Sequence, residues 1–94
     1  MLVLSRKLGE SLVINDLIAT IDSFADDHSV LSLMRTNCEF LRKVTAPFNE
    51  SIEITDDVRA VMIRAEGDKV RFGIEIPPDC TIARWEAWDP RSGR

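Results

Sequence analysis

The chain is poor in the residues that carry catalysis. His28 is its only histidine, and Cys38 and Cys80 are its only cysteines. The histidine sits in the polar stretch Asp26-Asp27-His28-Ser29, where a surface side chain is expected. No Ser/His/Asp set, phosphate-cradling glycine loop or H-E-x-x-H string is present, so no catalytic residues are assigned. Paired acids such as Asp26-Asp27 and Asp56-Asp57 fall at turns, where solvation explains them. Two isolated cysteines make neither a zinc site nor a CxxC redox motif, and read as semi-buried thiols. No metal and no cofactor are implied. No apolar run approaches the ~20 residues that span a membrane. The N-terminus also lacks the charged-then-apolar layout of a signal peptide, so the expected location is cytoplasmic. Positive charge is short as well: 12 Lys and Arg face 16 Asp and Glu, for a net charge of −4 and a pI near 4.9. Binding to phosphate-bearing polymers normally draws on a basic surface. Local placement can offset the total, because screening limits charge effects to about 8 Å at physiological salt.

What is present reads as sheet. Ninety-four residues with 45% hydrophobic side chains make one small domain with a modest core. In MLVLSRKLGESLVI, Val3, Ser5 and Lys7 alternate with Leu2, Leu4, Arg6 and Leu8. Gly9 marks a turn, and Leu12 and Ile14 carry a second strand. The adjacent cations Arg6 and Lys7 fit a strand edge offered to phosphate. They equally fit a solvated edge strand protected by charge. Further along, LIATIDSF (17–24), VLSLM (30–34) and CEFLRKV (38–44) are short apolar runs separated by polar turns. The segment 31–44 can alternatively be written as an amphipathic helix.

The opening string resembles that of the CsrA/RsmA family, the carbon storage regulators. Members of that family start with Met-Leu, an aliphatic pair, Ser or Thr, two basic residues, an aliphatic residue and Gly-Glu-Ser/Thr. Met1 to Ser11 match this order. A second block, residues 56–84, resembles the family's third, fourth and fifth strands. Its turn is Glu66-Gly67-Asp68-Lys69, its fourth strand Val70–Ile74, its proline turn Pro77-Pro78, and its last strand ends at Arg84. The resemblance implies an all-β fold, a small barrel or sandwich of short strands. It also implies an RNA-binding translational regulator that prefers GGA in a hairpin loop of mRNA. About forty residues between the blocks have no place in an ordinary member.

A shift of forty residues accounts for them. Glu10-Ser11-Leu12-Val13-Ile14-Asn15-Asp16 overlays Glu50-Ser51-Ile52-Glu53-Ile54-Thr55-Asp56, and turns and apolar positions continue to coincide without a gap. The expectation is an internal duplication: unit one at about 1–44 and unit two at about 41–90, folding as a single-chain pseudo-dimer. The alternative is one unit with a long insertion that forms a homodimer.

The resemblance then places the RNA site between the first strand of unit one (Leu4, Ser5, Arg6, Lys7) and the fifth strand of unit two (Ile82, Ala83, Arg84). Arg84 would contact phosphate or base, Arg6 and Lys7 would neutralise phosphate, and Leu4 would support a base. Read without the family, Arg84 is a surface partner of Glu86 or Asp89. At the second, equivalent site Ala46 and Pro47 replace the basic pair, so one working and one degenerate site are expected. Ala83 and Trp85 depart from the family pattern, with Trp85 placed to stack on a base or pack on the tail. Trp88 is expected to cap the core, and Pro90 limits any C-terminal helix. The competing function is a protein-interaction module that has lost RNA binding. A protein antagonist is a further partner the resemblance allows.

Overall fold

Nine strands and no helix make up the described residues of the computed structural model, which are 1–80 and 82–84. They are β1 (Leu2–Lys7), β2 (Ser11–Ile14), β3 (Leu17–Phe24), β4 (His28–Arg35), β5 (Phe40–Pro47), β6 (Ser51–Thr55), β7 (Val58–Glu66), β8 (Lys69–Glu75) and β9 (Ile82–Arg84). The helical reading of 31–44 is thereby overturned. The segment splits into β4 and β5 around a turn in which Cys38 takes φ 75°, a conformation no helix contains. Trp85, Trp88 and the tail lie outside the described residues.

The turns follow from residues that tolerate positive φ. Gly9 (φ 82°) follows Leu8 in the Lys7–Glu10 turn, closed by the Glu10 amide donating to the Lys7 carbonyl at 3.0 Å. Asn15 (φ 54°) and Gly67 (φ 63°) open the two-residue links β2–β3 and β7–β8. Such links match the twist of paired strands.

The strands form two antiparallel sheets. One has the order β1-β8-β7-β6, the other β5-β4-β3-β2-β9. The chain exchanges strands between them. β1 joins the sheet of β6–β8, while β9 joins the sheet of β2–β4. Alternation fills the space between the sheets. On β4 every second residue is buried, and on β8 Val70, Phe72 and Ile74 face inward. They meet Leu4, Met62 and Ala60 from their own sheet and Ile21, Leu31 and Leu33 from the other. Each large aliphatic or aromatic side chain so buried stabilises the fold by roughly 1.5–3 kcal/mol. The edge strand β5 is exposed through Lys43 and presents Arg42 and Lys43, charges that discourage edge pairing.

The two sheets repeat one another's pairing. β1 meets β8 with Arg6 opposite Val70, and β5 meets β4 with Ala46 opposite Ser29. Both β3–β4 and β7–β8 carry a bulge, between Ile21 and Ser23 in one and between Met62 and Arg64 in the other. These registers relate β1 to β5 and β2 to β6 by forty residues, but β3 to β7 and β4 to β8 by forty-one. The gapless overlay therefore needs one extra residue in the second half, and the register break of β6 between Glu53 and Thr55 supplies it. With that residue, Leu17, Ala19, Ile21, Leu31 and Leu33 overlay Val58, Ala60, Met62, Phe72 and Ile74, and all ten are buried.

Candidate nucleic-acid interface

β1 is an outer strand of its sheet and β9 is an outer strand of the other. The exchange brings these two edges together. Leu2, Val3, Leu4, Ile82 and Ala83 line one pocket of about 250 Å³. Five of the seven residues expected at the site thus have clear positions: Leu4 with Ile82 and Ala83 in this pocket, and Ser5 and Lys7 further along β1. Arg84 pairs through its backbone with Leu12 on β2.

Arg6 is placed differently from the expectation. Alternation turns it inward, and it is 4% exposed. Its guanidinium donates to the Ser11 carbonyl at 2.9 Å and pairs with Glu10 at 3.4 Å. A carboxylate oxygen of Glu10 also accepts the Lys7 amide at 2.8 Å. Arg6 therefore ties β1 to β2 and neutralises an acid beside the edge. It does not present its charge outward as a phosphate contact would require.

A groove of about 470 Å³ runs along β1, lined by Ser5, Lys7, Glu10, Lys69 and Arg71 among others. Cross-strand register explains its charge. Ser5, Arg71 and Arg64 form one row across β1, β8 and β7, and Lys7, Lys69 and Glu66 form the next. Arg71 makes no ion pair among the described residues. Lys7 meets Asp68 at 3.7 Å and Arg64 meets Glu66 at 3.7 Å, both in the open, where such pairs hold weakly. Arg71 and Lys69 were not among the expected site residues. Alternation with Val70 and Phe72 already turned them outward, but only the β1–β8 pairing sets them beside Ser5 and Lys7.

The equivalent rows of the other sheet are Thr45-Val30-Ser23 and Pro47-His28, without a lysine or arginine. Ala46 is fully buried, as Arg6 nearly is. The outer face there carries a compact polar group instead. The Ser32 hydroxyl donates to Asp22, and Lys43 pairs with Asp22 at 3.3 Å. The Ser32 hydrogen bond, aided by Lys43, holds the Asp22 carboxyl below its ordinary pKa although desolvation pushes it the other way. A depressed carboxylate stabilises above its unfolded pKa and loses that contribution as pH falls through the folded value. Asp22→Asn is thus expected to lower Tm at neutral pH, with the difference from wild type closing below about pH 4. Thermal melts from pH 7 to pH 3 check this.

The cysteines carry no chemistry here. Neither forms a disulfide. Cys38 is exposed rather than semi-buried, on the left-handed turn residue described above. Cys80 is half-buried as expected, and burial, then the nearby Asp79 charge, push its thiol pKa up, away from the reactive thiolate. His28 opens β4 and shares a 2.8 Å hydrogen bond with Asp27. Among the described residues no group of His, Cys, Asp and Glu could hold a metal ion, and no helix is long and apolar enough to cross a membrane.

Comparison with known proteins bears on the same strands. The chain is 44% identical over 41 residues to a translational regulator CsrA of Rhodopirellula baltica, covering 44% of this chain and 59% of that protein. It is 36% identical over 45 residues to a translational regulator CsrA of Geotalea uraniireducens, covering 48% of this chain and 57% of that protein. It thus spans less than two thirds of the length of either relative. No solved structure matches. The model of the CsrA global regulator protein family matches residues 43–91, just over half of the chain and the stretch from β5 through β9. With the matching opening string and the two sheets of short strands, this settles the family: the chain belongs to the CsrA global regulator proteins.

Proposed function

We propose that the chain is a sequence-specific mRNA-binding regulator of translation, acting in the cytoplasm, with one working RNA site on the paired edges of β1 and β9. The carrying observation is the asymmetry of the two sheets. Lys7, Lys69 and Arg71 line the groove beside β1, while the equivalent positions beside β5 hold no lysine or arginine. The acidic total charge is then no obstacle, because these cations line one groove on adjacent strands and charges beyond about 8 Å are screened at physiological salt. Exposed backbone at the two strand edges would read base edges of a single-stranded GGA loop, and Leu4 with Ile82 would give an apolar rest for a base. Arg84 keeps its proposed contact to phosphate or base through its planar donor fork. Arg6 is reassigned to holding Glu10 and the turn.

The reciprocal exchange of β1 and β9, and the forty- and forty-one-residue correspondences, support a single-chain pseudo-dimer of units at about 1–44 and 41–90. On that reading the degenerate site lies at the outer edges of β5 and β6. It lacks cations at the positions equivalent to Lys7, Lys69 and Arg71 and, among the described residues, a counterpart of β9.

The test is anisotropy titration of a GGA-loop hairpin RNA at several salt concentrations. Arg71→Ala and Arg84→Ala are each expected to weaken binding about tenfold and to reduce the salt slope by about 0.7. Changing the loop away from GGA should abolish specific binding. Binding indifferent to loop and to both arginines would reject the reading in favour of a protein-interaction module.

A further inference from the structure

Among the described residues the two sheets differ by one strand. β2 is bordered by β9, with Val13 opposite Ala83 and Ile14 opposite Ile82. β6, its counterpart, has β7 on one side and no strand on the other among the described residues. By register Glu53 stands where Val13 stands in the other sheet, and Ile54 is the extra residue beside it. At that position a side chain takes the place of a strand. Arg42 donates from one guanidinium nitrogen to the Ile54 carbonyl at 2.8 Å and to the Glu53 carbonyl at 3.5 Å. Its counterpart forty residues earlier is Leu2, which lines the pocket with Ile82 and Ala83.

A second seat lies beside this edge. A pocket of about 250 Å³ is lined by Asp16, Leu17, Leu41, Thr55 and Val58 among others. Its counterpart in the other half is filled. Cys80 packs there against the core, hydrogen-bonds the Asn15 side chain and feels the charge of Asp57. By the forty-one-residue register Asp57 corresponds to Asp16, which lines the open pocket together with Asn15 and Thr55. Cys80 and Ile82, two residues apart, thus occupy on β2 what is open beside β6.

We infer that the β6 edge and this pocket accept an added β-strand from a partner protein, with Arg42 as a displaceable cap. The occupant is an extended segment that places a small apolar residue in the pocket and an aliphatic residue two positions later, as Cys80 and Ile82 do. Its amides replace the guanidinium on the Glu53 and Ile54 carbonyls. Pairing of this kind draws affinity from main-chain hydrogen bonds and selectivity from alternate side chains. A second copy's β6 is disfavoured as occupant, since antiparallel pairing about Glu53 sets two like charges together. The inference does not depend on RNA binding.

The probe is a synthetic peptide copying residues 78–84 with Cys80→Ala, titrated into the isotope-labelled full chain and followed by amide chemical shifts. The expected result is saturable change at Glu53, Ile54, Thr55 and Leu41 with Kd of about 1 mM or tighter. Arg42→Ala, which uncovers the carbonyls, should tighten it at least about threefold. A scrambled peptide should shift these residues far less. No change at β6 in wild type or variant, change confined to Leu12–Ile14 of β2, or equal change with the scrambled peptide would each overturn the proposal.

Discussion

Phe72→Ala is expected to destabilise the protein by about 3–5 kcal/mol, the range for emptying a fully packed aromatic site. Phe72 is 1% exposed at the centre of β8. It stands opposite Leu4 of β1 on one side and Met62 of β7 on the other. Both neighbours are buried, so little can collapse into the space left behind. A domain of this size holds about 5–15 kcal/mol in all, and the variant would lose a large share of it. The same residue joins the exchanged strand β1 to its sheet, so the loss should reach the proposed RNA edge. Urea unfolding measures the effect. A loss below about 1 kcal/mol would mean that β8 does not pack as described.

Arg6→Met is expected to cost about 2–3 kcal/mol, the scale of hydrogen bonds made by a charged group. Methionine keeps much of the stem's apolar contact, so the change isolates the guanidinium. The Ser11 carbonyl loses a charged donor and Glu10 loses its partner. Lys7→Met, one residue on, removes an exposed charge whose bond to Asp68 is long, and should change stability by no more than about 0.5 kcal/mol. In RNA binding the order should reverse among variants that remain folded, with Lys7→Met weakening affinity more than Arg6→Met. Equal stability of the two variants would return Arg6 to the phosphate-binding group.

Much of this was legible in the residues, and the failures have physical causes. Gly9 and the apolar alternation of Leu2–Leu8 placed β1 and its turn. LIATIDSF coincides with β3. The run VLSLM was too short for β4, because His28 and Ser29 look like turn residues but pair with Pro47 and Ala46. Pro47 closes β5 at its end, where a missing amide costs little. Arg6 is placed in a way its residue type hides. A charged residue in an apolar alternation reads as outward, yet its parity with Leu4 turned it inward, where Glu10 and Ser11 receive it. The place of Arg71 in the groove is hidden for the opposite reason. Its outward direction was readable, but its closeness to Ser5 comes from pairing across 66 residues of chain (71 − 5). No local pattern encodes that.

The most direct measurement is the RNA stoichiometry of the intact chain, by native mass spectrometry and sedimentation with a GGA-loop hairpin. One RNA on one copy of the chain, lost when the loop is changed, is the result predicted for a single-chain regulator with one surviving site. Two RNAs on each copy, one RNA shared by two copies, or no complex at all would contradict it.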